Sequence, residues 1–98
     1  MAIPTSFKLI NRTYSVEEML PEVADAMKAL GRCDYDTATI TLKTEQDPEA
    51  LESTFYHELA HALLALTTKP KLTYNEDLVE SLGSVLMQYM QTKKGRFE

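Results

Sequence analysis

Both histidines of the chain lie in one short segment, and their spacing indicates a metal site. His57 and His61 are four residues apart and Glu58 lies between them, in the sequence His-Glu-Leu-Ala-His. On a helix, residues four apart lie one above the other, so the two imidazoles can bind the same cation. Glu58 is turned partly away from the ligand position, where its carboxylate can take a proton from a metal-bound water. The segment therefore predicts a catalytic zinc site with Glu58 as general base.

A catalytic zinc ion takes a third protein ligand and leaves one position open for water. Three carboxylates follow the motif in the sequence, at Glu76, Asp77 and Glu80. Cys33 is another potential ligand, but it falls in a predicted loop, and we interpret it as an incidental thiol. Two histidines and a carboxylate are the common set in hydrolytic zinc sites, so we expect a carboxylate as the third ligand.

A long helix is predicted to carry the histidines. The side chain of Asp47 can accept hydrogen bonds from free amides at a helix N-terminus, and Pro48 fits the first helical position. From there an apolar stripe continues at helical spacing to about Thr67. The stripe consists of Leu51, Phe55, Leu59, Ala62 and Leu66.

A second helix is predicted after the Lys-Pro-Lys break at residues 69–71. Thr73 and Glu76 have the spacing of a capping box at its start. If Glu76 serves only as a cap, Glu80 becomes the third ligand, although a first-turn Glu can also face the metal while Thr73 caps the helix. The small residues Gly83 and Ser84 would let this helix approach the first one closely. The apolar side of the helix is predicted at Leu78, Leu82, Val85, Leu86 and Met90.

Short apolar stretches in the first half of the chain predict a small β-sheet. Residues 7–10 and 14–16 fit a β-hairpin, although Ser15 and Glu18 also have the spacing of a capping box. Residues 37–42 alternate hydroxyl and apolar side chains, which is typical of a strand with one face on a core.

A short helix over residues 20–30 is predicted between these strands, with Pro21 in its first turn and Gly31 as its stop. The whole pattern indicates an α+β fold: a small N-terminal sheet, with the His-Glu-x-x-His helix and a C-terminal glutamate-bearing helix packed on one face. A chain of 98 residues is expected to form one domain over residues 1–98.

Composition narrows the class of protein. The formal net charge of −5 argues against a nucleic-acid partner, because phosphate binding depends on clustered Lys and Arg. One cysteine and an N-terminus without a long apolar stretch predict a cytoplasmic protein. The apolar stretch at residues 59–66 is too short for a membrane anchor. The oligomeric state is left open.

The segment after the break resembles two metallopeptidase families. Residues 75–80, Asn-Glu-Asp-Leu-Val-Glu, resemble the Asn-Glu-x-x-x-Asp segment of gluzincins such as the thermolysin family, although position 80 is Glu rather than Asp. The Glu-x-x-Ala-x-x-Phe-Ala pattern of ImmA/IrrE-type metallopeptidases is matched loosely by Glu76, Val79, Leu82 and Gly83. Both resemblances imply Glu76 as third ligand, and Glu80 one turn later as the support of a ligand imidazole. The element order over residues 37–91 is also similar to that of phage-borne and minimal gluzincins, which implies a zincin-like fold.

These resemblances imply a zinc-dependent metallopeptidase, a hydrolase acting on a peptide or protein substrate. Tyr56 and Tyr74 are the candidate oxyanion donors near the motif, although buried tyrosines are also common in small cores. By analogy, the strand at residues 37–42 would be the sheet edge that pairs with substrate, and an ordinary structural strand is the alternative. The alternative function is a zinc-binding regulatory or interaction module of phage or mobile-element origin, with weak or no catalysis.

Overall fold

Four β-strands and three α-helices are formed within residues 3–97, the part of the chain that the computed structural model describes. The strands are β1 (Ser6–Leu9), β2 (Arg12–Met19), β3 (Gly31–Asp34) and β4 (Thr39–Lys43). The helices are α1 (Pro21–Met27), α2 (Pro48–Ala65) and α3 (Glu76–Thr92), and a 3-10 turn at Pro70–Tyr74 joins the last two. The predicted α+β class is confirmed. Across residues 3–97, every helix is too short or too polar to span a lipid bilayer.

The strands form one sheet in the order β1-β2-β4-β3. β1 and β2 make the predicted antiparallel hairpin, in which Leu9 is paired with Arg12. Ser15 and Glu18 both lie inside β2, so the alternative capping box at this point is wrong. β4 pairs in parallel with β2 and antiparallel with β3. The prediction that this strand forms a sheet edge is therefore wrong, because β4 is an interior strand and β3 lies at the edge.

The region before β4 differs from its prediction in two ways. β4 begins at Thr39 rather than at residue 37, because Ala38 has a left-handed φ of 53° in the preceding turn. Cys33 lies in strand β3 and not in a loop. β3 has only four residues, Gly-Arg-Cys-Asp, and carries no apolar alternation that would mark it as a strand in the sequence.

Helix α1 is shorter than the predicted span of residues 20–30. It ends at Met27 because Lys28 adopts a left-handed φ of 54°, and the Lys28 amide bonds the carbonyls of Ala24 and Asp25. Gly31 is not the helix stop but the first residue of β3. A Cβ atom at this position would lie 2.8 Å from the Thr54 methyl carbon, so only glycine lets β3 pass this close to α2.

Helix α2 begins as predicted, and the Asp47 side chain accepts a hydrogen bond of 2.9 Å from the Ala50 amide. Phe55 and Tyr56 pack from α2 against Ile40 of β4 in the main core. The helix ends at Ala65, two residues before the predicted end. Leu66, the last member of the predicted stripe, therefore lies outside the helix and is 38% exposed.

Helix α3 is capped by Asn75, whose side chain accepts a hydrogen bond of 3.0 Å from the Leu78 amide. The predicted capping box is therefore wrong, because Thr73 lies in the 3-10 turn, two residues before the N-cap position of α3. The buried residues of α3 are Val79 and Gly83, while Val85 is 62% exposed and does not belong to the packed face. Leu86 and Met90 continue that face onto the main core.

Gly83 sets the distance between α3 and the histidine-bearing helix. A Cβ atom there would lie 3.1 Å from the Tyr56 carbonyl oxygen and 3.2 Å from the backbone of His57. We expect Gly83→Val to lower the free energy of unfolding by about 1–3 kcal/mol more than Ser84→Val, because backbone atoms cannot yield to the added carbons. Ser84 is exposed on the same helix, so its predicted part in the close packing is wrong, and it gives the matched control. Urea denaturation checks this, and equal stability of the two variants would contradict it.

Candidate metal centre

His57, His61 and Glu76 converge at the junction of α2 and α3. The Nε2 atom of His57 lies 3.4 Å from Glu76 Oε2, and the Nε2 atom of His61 lies 3.5 Å from Glu76 Oε1. One ligand atom from each of the three residues lies within 4.8 Å of the other two. The Glu76 side chain is 67% exposed, so the space between these atoms can be reached from solvent. The residues form a group that can hold a metal ion.

Local structure explains why Glu76 meets the two imidazoles. The 3-10 turn reverses the chain after α2, and Asn75 starts α3 so that Glu76 is its first residue. Gly83 then holds α3 against the backbone of His57. Glu76 therefore meets His57 and His61, which lie about 15–20 residues earlier in the sequence. The turn and the close packing of the two helices bring them together, in addition to the four-residue spacing of the histidines on α2.

Glu80 lies on the far side of the His57 ring from Glu76. Its Oε2 atom is 3.0 Å from His57 Nδ1. A carboxylate can only accept a hydrogen bond, so Nδ1 of His57 is the donor, and in the neutral imidazole Nε2 keeps a lone pair. That lone pair faces the oxygen of Glu76. The sequence left Glu76 and Glu80 as alternative ligands, and the geometry gives them different roles. Glu76 faces the Nε2 atoms of the histidines, and Glu80 orients the ring of His57.

The same geometry provides a test of whether a cation fits. An imidazole lone pair and a carboxylate oxygen are both acceptors, so the approach of His61 Nε2 to within 3.5 Å of Glu76 is unfavourable unless positive charge lies between them. Protonation of His61 is disfavoured, because burial lowers its pKa. Ligands about 2.0–2.1 Å from a tetrahedral zinc ion lie about 3.3–3.4 Å from each other, close to the two separations between the histidine nitrogens and the Glu76 oxygens. Two imidazoles and a carboxylate are also the donors that zinc takes in hydrolytic sites. The residues fit such an ion.

Glu58 lies beside this group and is almost completely buried, with 8% of its surface exposed. Burial raises the pKa of Glu58 from 4.5 to about 7, the nearby His57 opposes this rise, and the negative charge of Glu76 adds to it. A carboxylate with a pKa near neutrality can both accept and return a proton. Gly31 forms part of its wall, since a Cβ atom there would lie 3.1 Å from Glu58 Cγ.

Two adjoining hollows lie beside the candidate site. They have volumes of about 510 Å³ and 330 Å³ and share Gly31, His57 and Glu58 in their walls. Glu76 and Tyr35 line the larger one. Among residues 3–97, β3 is hydrogen-bonded to β4 alone, so its second edge is free. The site therefore opens into a cleft beside an unpaired strand.

The tyrosines proposed from the sequence do not line this cleft. Tyr74 is 79% exposed on the 3-10 turn, and Tyr56 is buried against Phe55 in the core. Tyr35, directly after β3, does line it. It was missed because it is 22 residues before His57 in a stretch whose strand could not be recognised. No sequence signal marks it.

Cys33 also lines the larger hollow, but it is not a member of the histidine–glutamate group. Burial raises the pKa of the Cys33 thiol to about 12, and the charges of Glu58 and Asp34 add to this effect. Zinc binds the thiolate form. The interpretation of Cys33 as an incidental thiol is therefore consistent with its environment.

Glu58 makes the stability of the metal-free protein depend on pH. The folded state binds the Glu58 proton more tightly than the unfolded state does, so stability is highest below about pH 4.5 and falls as pH rises to about 7. Glu58→Gln stays neutral throughout. We expect this variant to gain up to about 3 kcal/mol over the wild type between about pH 4.5 and pH 8. Urea denaturation in the presence of a chelator checks this, and a pH-independent difference between the two proteins would contradict it.

Comparisons of the chain with protein families, with curated protein sequences and with solved structures find no match. The function is therefore inferred from the geometry of the site. The features that indicate it are the two Nε2 atoms that face Glu76, the buried Glu58 and the adjoining cleft.

Proposed function

We propose that this chain is a zinc-dependent peptidase with a zincin-like fold. Its zinc site would be similar to those of gluzincins and ImmA/IrrE-type metallopeptidases. The observation that carries the proposal is the position of Glu58. It is a buried carboxylate with a raised pKa, and it borders the same cleft as His57, His61 and Glu76. A purely structural zinc site has four protein ligands and has no use for such a base.

The residues have separate roles in the proposed reaction. His57, His61 and Glu76 would hold the zinc, and Glu80 would fix the ring of His57. A bound zinc ion would supply Lewis acidity, which polarises a carbonyl and acidifies water. Glu58 takes the proton from the attacking water and later returns it to the leaving amine.

The free edge of β3 is the proposed binding position for substrate. An extended peptide can add to an unpaired strand through main-chain hydrogen bonds, which give affinity with little demand on sequence. β3 borders the hollow that contains His57 and Glu58, so a peptide paired with it would pass the base. This role replaces the one predicted for the interior strand β4.

The proposal is tested by incubating the zinc-loaded chain with an unstructured protein and a mixed peptide library, and by following new termini by mass spectrometry. We expect cleavage that stops when a chelator removes zinc and returns when zinc is restored. Zinc binding without metal-dependent cleavage of any peptide would contradict the peptidase proposal and favour the alternative of a binding module.

A further inference from the structure

The hydroxyl group of Thr73 has three hydrogen-bond partners. Its Oγ1 atom lies 3.1 Å from the backbone oxygen of His61, 3.0 Å from His61 Nδ1 and 2.6 Å from the Tyr35 hydroxyl. Thr73 is 4% exposed, so water has little access to it. These contacts join the cleft-lining Tyr35 to the rear of the His61 ring.

If all three contacts of the Thr73 hydroxyl are hydrogen bonds, their protons can be assigned in only one way. Thr73 has one proton and two lone pairs, and the carbonyl oxygen of His61 can only accept. The Thr73 proton therefore goes to that carbonyl, and both lone pairs receive protons. One comes from His61 Nδ1 and the other from Tyr35. His61 consequently has its proton on Nδ1 and a lone pair on Nε2, which faces Glu76.

From this arrangement we infer that Thr73 and Tyr35 are positioning residues that fix the tautomer and orientation of His61 for metal binding. The His61 carbonyl takes the Thr73 proton, and Tyr35 donates to one Thr73 lone pair, so the remaining lone pair accepts the proton of His61 Nδ1. His57 and His61 are thus oriented by different chemistry, a carboxylate for one and a chain of two hydroxyls for the other. The inference rests on the proposed zinc site but does not depend on peptide cleavage.

The first test is the tautomer of His61 in the metal-free protein, read by nitrogen-15 NMR of the imidazoles at a pH where they are neutral. We expect a protonated Nδ1 in the wild type and in Thr73→Ser, which keeps the hydroxyl. In Thr73→Val, which has nearly the same shape, the fraction of His61 protonated on Nδ1 should fall, with the Thr73 backbone as the remaining partner of the ring, and Tyr35→Phe should give a smaller fall. A wild-type His61 protonated on Nε2 would overturn the inference, whatever the protein does to peptides.

The second test is zinc affinity, measured by competition with a chromogenic chelator. Loss of a hydrogen bond to a ligand histidine weakens zinc binding by about 10–100-fold, so we expect that loss for Thr73→Val and a smaller one for Tyr35→Phe. Thr73→Ser should bind nearly as the wild type does. The surface variants Thr92→Val and Tyr89→Phe are matched controls. Wild-type affinity in both Thr73→Val and Tyr35→Phe would overturn the inference and leave the peptidase proposal standing.

Discussion

Glu58→Gln is expected to lower the rate of peptide hydrolysis by about 10²–10⁴-fold while the protein keeps its zinc. Glutamine has nearly the same shape as glutamate but cannot take a proton from water. The side chain does not belong to the group that faces the metal position, so the affinity for zinc should change little. The measurement is kcat for a cleaved peptide, together with zinc content determined on the same sample.

The control for this variant is Glu49→Gln, which makes the same chemical change at an exposed position in the first turn of α2. It should leave both kcat and zinc content at wild-type values. Cleavage that survives in Glu58→Gln would show that Glu58 is not the base. Loss of zinc together with activity would instead show that this carboxylate is a ligand.

Glu76→Ala is expected to weaken zinc binding more than any other single change to a carboxylate of the last helix. Glu76 faces the Nε2 atoms of both histidines, whereas Glu80 contacts only Nδ1 of His57. Removal of Glu80 should lower zinc affinity by about 10–100-fold, as for other groups that orient a ligand, and removal of Glu76 should lower it further. Chelator competition gives both dissociation constants.

Asp77→Ala is the matched control, because Asp77 is an exposed carboxylate between these two residues. It should bind zinc as the wild type does. A larger loss from Glu80→Ala than from Glu76→Ala would exchange the proposed roles of the two residues. The sequence alone left that exchange open.

The local part of the site could be predicted from the sequence because it depends on one helix. The four-residue spacing of His57 and His61 places both rings on one side of α2, and the Asp47-Pro48 pair marks where that helix starts. The roles of Glu76 and Glu80 could not be separated in this way. Both lie on the same side of α3, and which carboxylate faces the free nitrogens depends on how α3 packs on α2, where Gly83 lies against the backbone of His57.

Other parts of the site could not be predicted because they depend on contacts distant in sequence. Tyr35 reaches Thr73 across 38 positions, and β3 is too short and too polar to be recognised as a strand. Thr73 was interpreted as a helix cap from its spacing to Glu76. In the fold its hydroxyl instead bonds His61, and Asn75 caps the helix. In each case a tertiary contact prevails over the local pattern.

The convergence of two imidazoles and one carboxylate on a single ion is tested most directly by the X-ray absorption spectrum of the wild-type chain loaded with one equivalent of zinc. We expect two imidazole nitrogens and oxygen donors at about 2.0–2.1 Å from the metal. A sulfur ligand at about 2.3 Å, a single imidazole, or failure of the chain to retain the zinc would contradict the site proposed from His57, His61 and Glu76.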